Sequence, residues 1–167
     1  LVAGLLGMRP DDERIPDSFE IARKMGLSYS FGIANLTSAH PNSVVLEVKG
    51  KSGRTLEVQA CSLGGGRIMI NRLDGLDVNC SCEIPTLIVH NLDQPGHVAE
   101  VTSMLAHKSV NIANMSLYRD KRGGSAVMVV EMDQPLPKES LEWLEHLEGI
   151  VKVTYINVTE GEEDDVL

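Results

Sequence analysis

The turn Asn91-Leu92-Asp93-Gln94-Pro95-Gly96 sets an amide and a carboxylate side chain just ahead of a Pro-Gly pair. Those residue types suit recognition of a small zwitterion. Pro95 has no N–H and a fixed φ, which fits the first turn of a helix. Gly96 lets a ligand approach the backbone closely, and free amides at a helix start favour a carboxylate. Asn91 and Asp93 stand two residues apart at the end of an extended run, so both project to the same side of it. Asn111 opens the following strand, at the opposite end of the intervening helix. In a dimer, a neighbour's copy of that edge brings such an Asn near the turn. The plainer reading is that these polar groups cap a helix and close loops, and residue chemistry alone favours it.

A second set lies earlier, in His40-Pro41-Asn42 and Ser62-Leu63-Gly64-Gly65-Gly66. Three successive glycines leave backbone N–H groups unscreened, a possible nest for a carboxylate or phosphate. Equally, the run can be a bulge or tight corner where only glycine fits. No Lys-Ser/Thr follows it, so it is not a nucleotide loop. His40 reads as a ligand contact, a subunit-interface group or an ordinary hydrogen-bonding residue at a strand end. Cys61, Cys80 and Cys82 include a Cys-x-Cys pair rather than the Cys-x₂-Cys spacing usual for iron–sulfur ligation. They read as structural, each behaving as a small hydrophobe. His97 and His107 lack metal-ligand spacing, and no Ser-His-Asp set, His-Glu-x-x-His helix or carboxylate pair stands out. No catalytic residue and no metal ligand is therefore assigned.

These residues must be held by elements that the periodicities predict. The opening Leu1–Gly7 stretch reads as the end of a helix whose start is missing, so the chain is expected to be N-terminally truncated. Asp17 and Glu20 resemble a capping box for a short helix through Phe19, Ile21, Ala22 and Met25, stopped by Gly26. Tyr29 to Ile33 reads as extended. Val44, Leu46 and Val48 alternate with Val45, Glu47 and Lys49, and Leu56 and Val58 with Glu57 and Gln59, with Lys51-Ser52-Gly53 as the hairpin turn. Ile68-Met69-Ile70 forms a further strand before the turn Asp74-Gly75, and the chain around Cys80 to Pro85 links to a second module. There Thr86 to Asn91 is a strand, and Val98, Val101, Met104 and Leu105 mark one buried helix face. Ile112, Met115 and Leu117, then Ala126, Met128 and Val130, fill middle strands either side of Lys121-Arg122-Gly123-Gly124. Leu141, Leu144 and Leu147 mark a second helix, with Trp143 beside the stripe, and Ile150 to Val158 is the last strand. The order is βαββαβ, two split β-α-β units with both helices on one face of a four-stranded sheet.

At 167 residues, 43% hydrophobic and 23% charged, the chain suits one domain or two small ones. No apolar run approaches the roughly 18 residues of a membrane span. The net charge of −9 is concentrated late: residues 86–167 hold 6 basic and 14 acidic side chains, against 9 and 10 before them. No basic stripe is present to hold nucleic acid. Three cysteines that cannot all pair, with no signal peptide, fit a reducing cytoplasm.

Asp93-Gln94-Pro95-Gly96 at the strand-to-helix turn, with Ser109-Val110-Asn111-Ile112-Ala113 opening the next strand, strongly resembles an ACT domain. This resemblance implies an amino-acid-sensing module that pairs through its sheet. It carries effector-binding roles onto Asn91, Asp93, Gly96 and Asn111, although Asn91 and Asp93 depart from the His and Asn commoner in serine-binding members. An Asp there must meet an ammonium group or a monovalent cation such as K⁺. Ser38-Ala39-His40-Pro41-Asn42 and Ser62-Leu63-Gly64-Gly65-Gly66-Arg67-Ile68 resemble the allosteric substrate-binding domain that precedes the ACT module in β chains of bacterial iron–sulfur L-serine dehydratases. It makes His40, Asn42, Ser62, Gly64, Gly65 and Gly66 candidates for an allosteric substrate site.

The expected architecture is α+β: a truncated allosteric-substrate-binding-like domain at residues 1–82, a linker at 83–85, a ferredoxin-like ACT domain at 86–158 and an acidic disordered tail at 159–167. The family implies a holoenzyme that turns L-serine into pyruvate and ammonia. Its [4Fe–4S] cluster and catalysis reside on a separate α chain, and this chain contributes regulation and dimer contacts. Related readings are the C-terminal regulatory region of a D-3-phosphoglycerate dehydrogenase-like enzyme and a free-standing amino-acid-binding module.

Overall fold

A computed structural model describes residues 1–37 and 39–157; Ser38, Val158 and the predicted acidic tail lie outside the described residues. Leu1–Asn35 packs as one unit and Leu36 onward as another. In the first unit, α1 (Val2–Leu5) is a single turn and α2 spans Ser18–Lys24. The predicted capping box does not form. Asp17 ends a 3₁₀ turn with φ −91° and ψ 3°, so its side chain makes no cap hydrogen bond, whereas an N-cap needs extended backbone. Glu20 pairs instead with Lys24 at 2.7 Å. Gly26 (φ +74°) ends the helix as predicted, with Leu27 N–H donating back to the Ala22 carbonyl.

Tyr29 to Ile33 is not a strand. A strand requires a partner edge for its N–H and C=O groups, and this unit has no other strand among the described residues. The rings of Phe19, Tyr29 and Phe31 gather instead, with centroids 5.6 to 6.5 Å apart.

The second unit holds two four-stranded antiparallel sheets. The first is a meander, β1 (Ser43–Lys49), β2 (Thr55–Gly64), β3 (Arg67–Leu73) and β4 (Leu76–Cys80), paired in that order. The hairpin at residues 51–53 forms as predicted. Gly64, Gly65 and Gly66 have φ of 83°, 62° and 79°, the left-handed region that glycine enters at least cost. They make the β2–β3 corner, so the tight-corner alternative describes their conformation. Strand β4 went unread in the sequence. Its buried Val78 and Cys80 do alternate with exposed Asp77 and Asn79, but Asp and Asn are poor strand formers.

The second sheet comprises β5 (Thr86–Leu92), α3 (His97–His107), β6 (Ile112–Arg119), β7 (Ser125–Met132), α4 (Lys138–Glu145) and β8 (Ile150–Ile156), in the order β6-β7-β5-β8. This is the predicted α+β, ferredoxin-like βαββαβ arrangement. Leu87, Val89, Met128 and Val130 face the helices and pack with Val101, Leu105 and Leu144. The opposite face, with Ile88, Val127 and Val129, packs on Ile70, Leu73, Val78, Cys80 and Cys82. Burial on both faces explains why β5 and β7 read as unbroken apolar runs.

Two core assignments change. Val98 is 40% exposed, and its neighbour His97 takes the buried place at the start of α3. Leu117 is half-exposed, because it lies on the sheet's edge strand. Among the described residues no helix is long and apolar enough to cross a membrane.

Candidate functional site

The β5–α3 turn is built from backbone. Leu92 N–H donates to the Gly149 carbonyl, Asp93 N–H to that of Gly124, and Gly96 (φ +110°) is the N-cap of α3. No side chain caps that helix, so its first amides carry the partial positive charge of the dipole without a side-chain acceptor. Asn91 is 4% exposed; its Nδ2 donates to the Leu92 carbonyl at 2.6 Å, while its Oδ1 is buried without a hydrogen-bond partner.

Asp93 serves a different purpose. Its Oδ2 accepts from Gly123 N–H at 2.9 Å and from Arg119 Nη1 at 3.1 Å, tying the β6–β7 loop to the turn. The Gly123 amide foremost, then Arg119, holds its carboxyl below the usual carboxylate range. Loop closure thus describes Asp93, and helix capping describes neither residue.

His97, which sequence reasoning set aside, completes this corner. It is 7% exposed, its Nδ1 lies 3.3 Å from Glu100 Oε2, and its Nε2 is buried without a partner. Gly149 lies against the ring: a Cβ there would stand 2.5 Å from Nε2. The signal available in the sequence was a His directly after Pro-Gly, where the first turn of a helix faces its own sheet. Asn111 lies apart, beyond the far end of α3. Its Nδ2 donates to Asp133 Oδ2 and its N–H to Gln134 Oε1. Asn91, Asp93 and Gly96 therefore gather at one turn of a single chain, and Asn111 does not.

The earlier set does converge. Asn42 N–H donates to His40 Nδ1 at 3.2 Å, Ser62 N–H to the Asn42 carbonyl at 3.0 Å, and Gly64 N–H to Ser62 Oγ at 3.4 Å. Pairing of Ser43 with Cys61 puts His40 and Asn42 beside Ser62 and the glycine corner. All six residues are exposed, at one end of the first sheet.

Between the sheets lies a polar cluster that the sequence did not reveal. Asp74, in the β3–β4 turn, accepts from Glu57 N–H at 2.9 Å and from Lys152 Nζ at 2.5 Å, and lies 3.6 Å from His90 Nε2. Arg54 donates to the Val153 carbonyl and to Thr154 Oγ1. Burial pushes the Asp74 carboxyl up, but hydrogen bonds from Lys152 and the Glu57 amide outweigh it and the net displacement is downward. Burial likewise pushes the His90 imidazole below its usual range. A cavity of about 310 Å³ beside this cluster is lined by Asp74, His90, Asn91, Asp120 and Ser125 among others. A larger apolar groove, about 660 Å³, runs between α3 and α4 past Met104 and Trp143, and no predicted site residue lines it.

Among the described residues, no group of three or more His, Cys, Asp or Glu side chains is placed to hold a metal ion.

The ACT domain family model matches residues 85–148. The chain is 33% identical over 156 residues to a probable L-serine dehydratase, beta chain, of Bacillus subtilis, spanning 93% of this chain and 70% of that protein. It is 32% identical over 159 residues to the L-serine dehydratase, beta chain, of Peptoniphilus asaccharolyticus, spanning 95% and 72%. A D-3-phosphoglycerate dehydrogenase of Methanocaldococcus jannaschii is 31% identical over 90 residues, 54% of this chain but 17% of that enzyme.

Proposed function

The chain belongs to the L-serine dehydratase beta-chain family, and from that membership we propose that it is the regulatory and oligomerising subunit of an enzyme converting L-serine to pyruvate and ammonia. The observation that carries this reading is coverage: beta-chain relatives align across 93% and 95% of the chain, through both sheets. In this reading a cytoplasmic α chain holds the [4Fe–4S] cluster. The residues described here do not fit such a group, since Cys80 and Cys82 face each other and no third ligand joins them. When bound to the α chain, the cluster supplies a Lewis acid toward the serine hydroxyl.

This chain's own contribution is to bind and to transmit. The α3 amides at Gly96 suit the carboxylate of L-serine, and the unpartnered Asn91 Oδ1 suits its ammonium group. Pairing of two copies along the exposed β6 edge is the route by which a neighbour's Asn111 joins that turn. His40, Asn42, Ser62 and the Gly64–Gly66 corner form a second, open contact for substrate or for the α chain. K⁺ is the other effector in this proposal, attracted to Oδ1 of the Asp93 carboxylate beside the Oδ2 that Gly123 and Arg119 hold. Regulation then requires unequal affinity for two states of the assembly.

Anaerobic co-expression with neighbouring genes tests the subunit role. A cluster-bearing chain should co-purify, and repeated failure to do so removes the reading. Calorimetry of the full chain with L-serine and with K⁺ tests sensing: heat that Asn111→Ala abolishes supports the paired site. Unchanged binding in that variant removes Asn111 from it. The partial match to phosphoglycerate dehydrogenases favours a second reading, a C-terminal regulatory region. An upstream Gly-x-Gly-x-x-Gly dinucleotide motif in the same gene would establish it.

A further inference from the structure

Cys80 closes β4, and Cys82 lies two residues on, just before the bend at Glu83 and Ile84 that carries the chain toward β5. In a regular strand, residues two apart share a face but are separated by about 6.7 Å along the chain. Cys82 leaves that geometry with φ +55°, and its Sγ comes within 3.1 Å of the Cys80 Sγ. The two thiols are 1% and 7% exposed and sit in the apolar contact between the sheets, in the cluster with Ile88, Val127 and Val129.

The separation can be set against two uses for such a pair. Two thiolates on a tetrahedral zinc, each with a bond of about 2.3 Å, stand about 3.8 Å apart. A disulfide of about 2.05 Å needs the sulfurs to move together by about 1 Å. Opening by about 0.7 Å would suit a shared metal and closing by about 1 Å a disulfide, and the choice falls to the ligand count: among the described residues no third metal-ligating side chain joins the pair.

We propose that Cys80 and Cys82 form a reversible oxidation site, closing to an intrachain disulfide when a small hydroperoxide reaches it. The inference does not rest on the dehydratase reading. Roles divide through the shared hydrogen bond: the Cys82 S–H favours thiolate at Cys80, while its contact with Cys80 and its burial keep Cys82 protonated. The Cys80 thiolate attacks hydrogen peroxide; an S–O bond forms, the O–O bond breaks, and hydroxide leaves to take up a proton as water. Cys82 sulfur then attacks the sulfenic sulfur. The S–S bond forms, the S–O bond breaks, and the hydroxyl departs with the Cys82 proton as a second water. Two thiols lose two electrons in all, and one peroxide gains them. Cys82, 7% exposed against 1% for Cys80, is the more open side of the pair, and the proposal has a small peroxide rather than a bulky disulfide enter there. Cys61, a free thiol buried in β2, is an internal control.

The test treats the reduced full chain with hydrogen peroxide, unfolds it, alkylates free thiols and maps the peptides by mass. The expected result is a Cys80–Cys82 link, lighter by two hydrogens, reversed by dithiothreitol, with Cys61 alkylated throughout. Cys82→Ser, which keeps a hydroxyl donor beside Cys80 but cannot form the link, should instead leave Cys80 as a sulfenic acid that dimedone traps, in protein whose circular dichroism matches the parent. Glutathione disulfide should leave Cys80 unmodified. The proposal is overturned if both thiols are recovered free after a peroxide exposure that fully oxidises N-acetylcysteine. It is equally overturned if the link formed joins Cys61 or a second chain, or if glutathione adds to Cys80. The wild-type map decides the matter even where the variant does not fold.

Discussion

Asp74→Asn takes one charge out of the joint between the two sheets while keeping the shape of the turn. Asp74 has φ +46°, a left-handed conformation that Asn tolerates. The amide oxygen can still accept from Glu57 N–H. What is lost is the pairing with Lys152, whose side chain is 15% exposed against 26% for Asp74. The Lys152 ammonium keeps the Thr55 carbonyl at 3.1 Å, and His90 loses its neighbouring carboxylate. Breaking a fully buried pair costs about 3–5 kcal/mol, and a hydrogen bond to a charged group contributes about 1.5–3 kcal/mol. Partial solvent access places this pair near the lower figures, about 2 kcal/mol.

With a urea m-value of about 2 kcal/mol/M, the unfolding midpoint should fall by about 1 M at neutral pH. A cycle with Lys152→Met should return a coupling of about 1.5 kcal/mol or more. The pH dependence supplies an independent sign. The folded carboxyl is depressed, so its contribution is present above the unfolded value of about 3.9 and is lost as pH falls through the folded value. Parent and variant should therefore converge in acid. A midpoint within about 0.3 M of the parent at pH 7, or a coupling below about 0.5 kcal/mol, refutes the claim that this pair holds the sheets together.

His90→Gln should flatten the pH dependence of stability. Burial depresses the folded imidazole, so its stabilisation is present above about pH 6.5 and is lost as pH falls through the folded value. Urea midpoints at pH 7.5 and 5.5 should differ for the parent and far less for the variant. Gly149→Ala sets a Cβ 2.5 Å from His97 Nε2 at a φ of +80°, and should cost about 2–4 kcal/mol by thermal unfolding. Gly53→Ala, with no atom within 4 Å of its Cβ, should cost about 1 kcal/mol. Asp93→Ala removes the acceptor for Gly123 N–H, and amide exchange at Gly123 should rise on the order of tenfold. An unchanged rate would mean that the loop is held by other contacts.

Much of the fold was legible because adjacent residues encode it. Alternation in β1 and β2, the spacing of Val101, Met104 and Leu105, and punctuation by Gly53, Gly75 and Pro95 specify elements through period and backbone preference. The βαββαβ order then restricts the sheet to few topologies, and the ACT and beta-chain likenesses read from local motifs agree with the relatives found. Less was legible at the site. Asn91, Asp93 and Gly96 do share a turn, and His40, Asn42, Ser62 and the glycines do meet.

Yet the chemistry of each side chain depended on partners far away in sequence. Gly123 and Arg119 occupy the Asp93 carboxylate, and Gly149 covers His97. Tyr29 to Ile33 carried a strand-like pattern but found no edge to pair with. Lys152 reaches Asp74 across 78 residues of chain. Period and turn chemistry are properties of neighbours along the chain, so the sequence by itself determined most of the elements and the family they compose. Burial and hydrogen-bond partnership are properties of neighbours in space. Tertiary structure alone decided which polar groups are spent on holding the fold, and which, like Asn91 Oδ1, are buried without a hydrogen-bond partner.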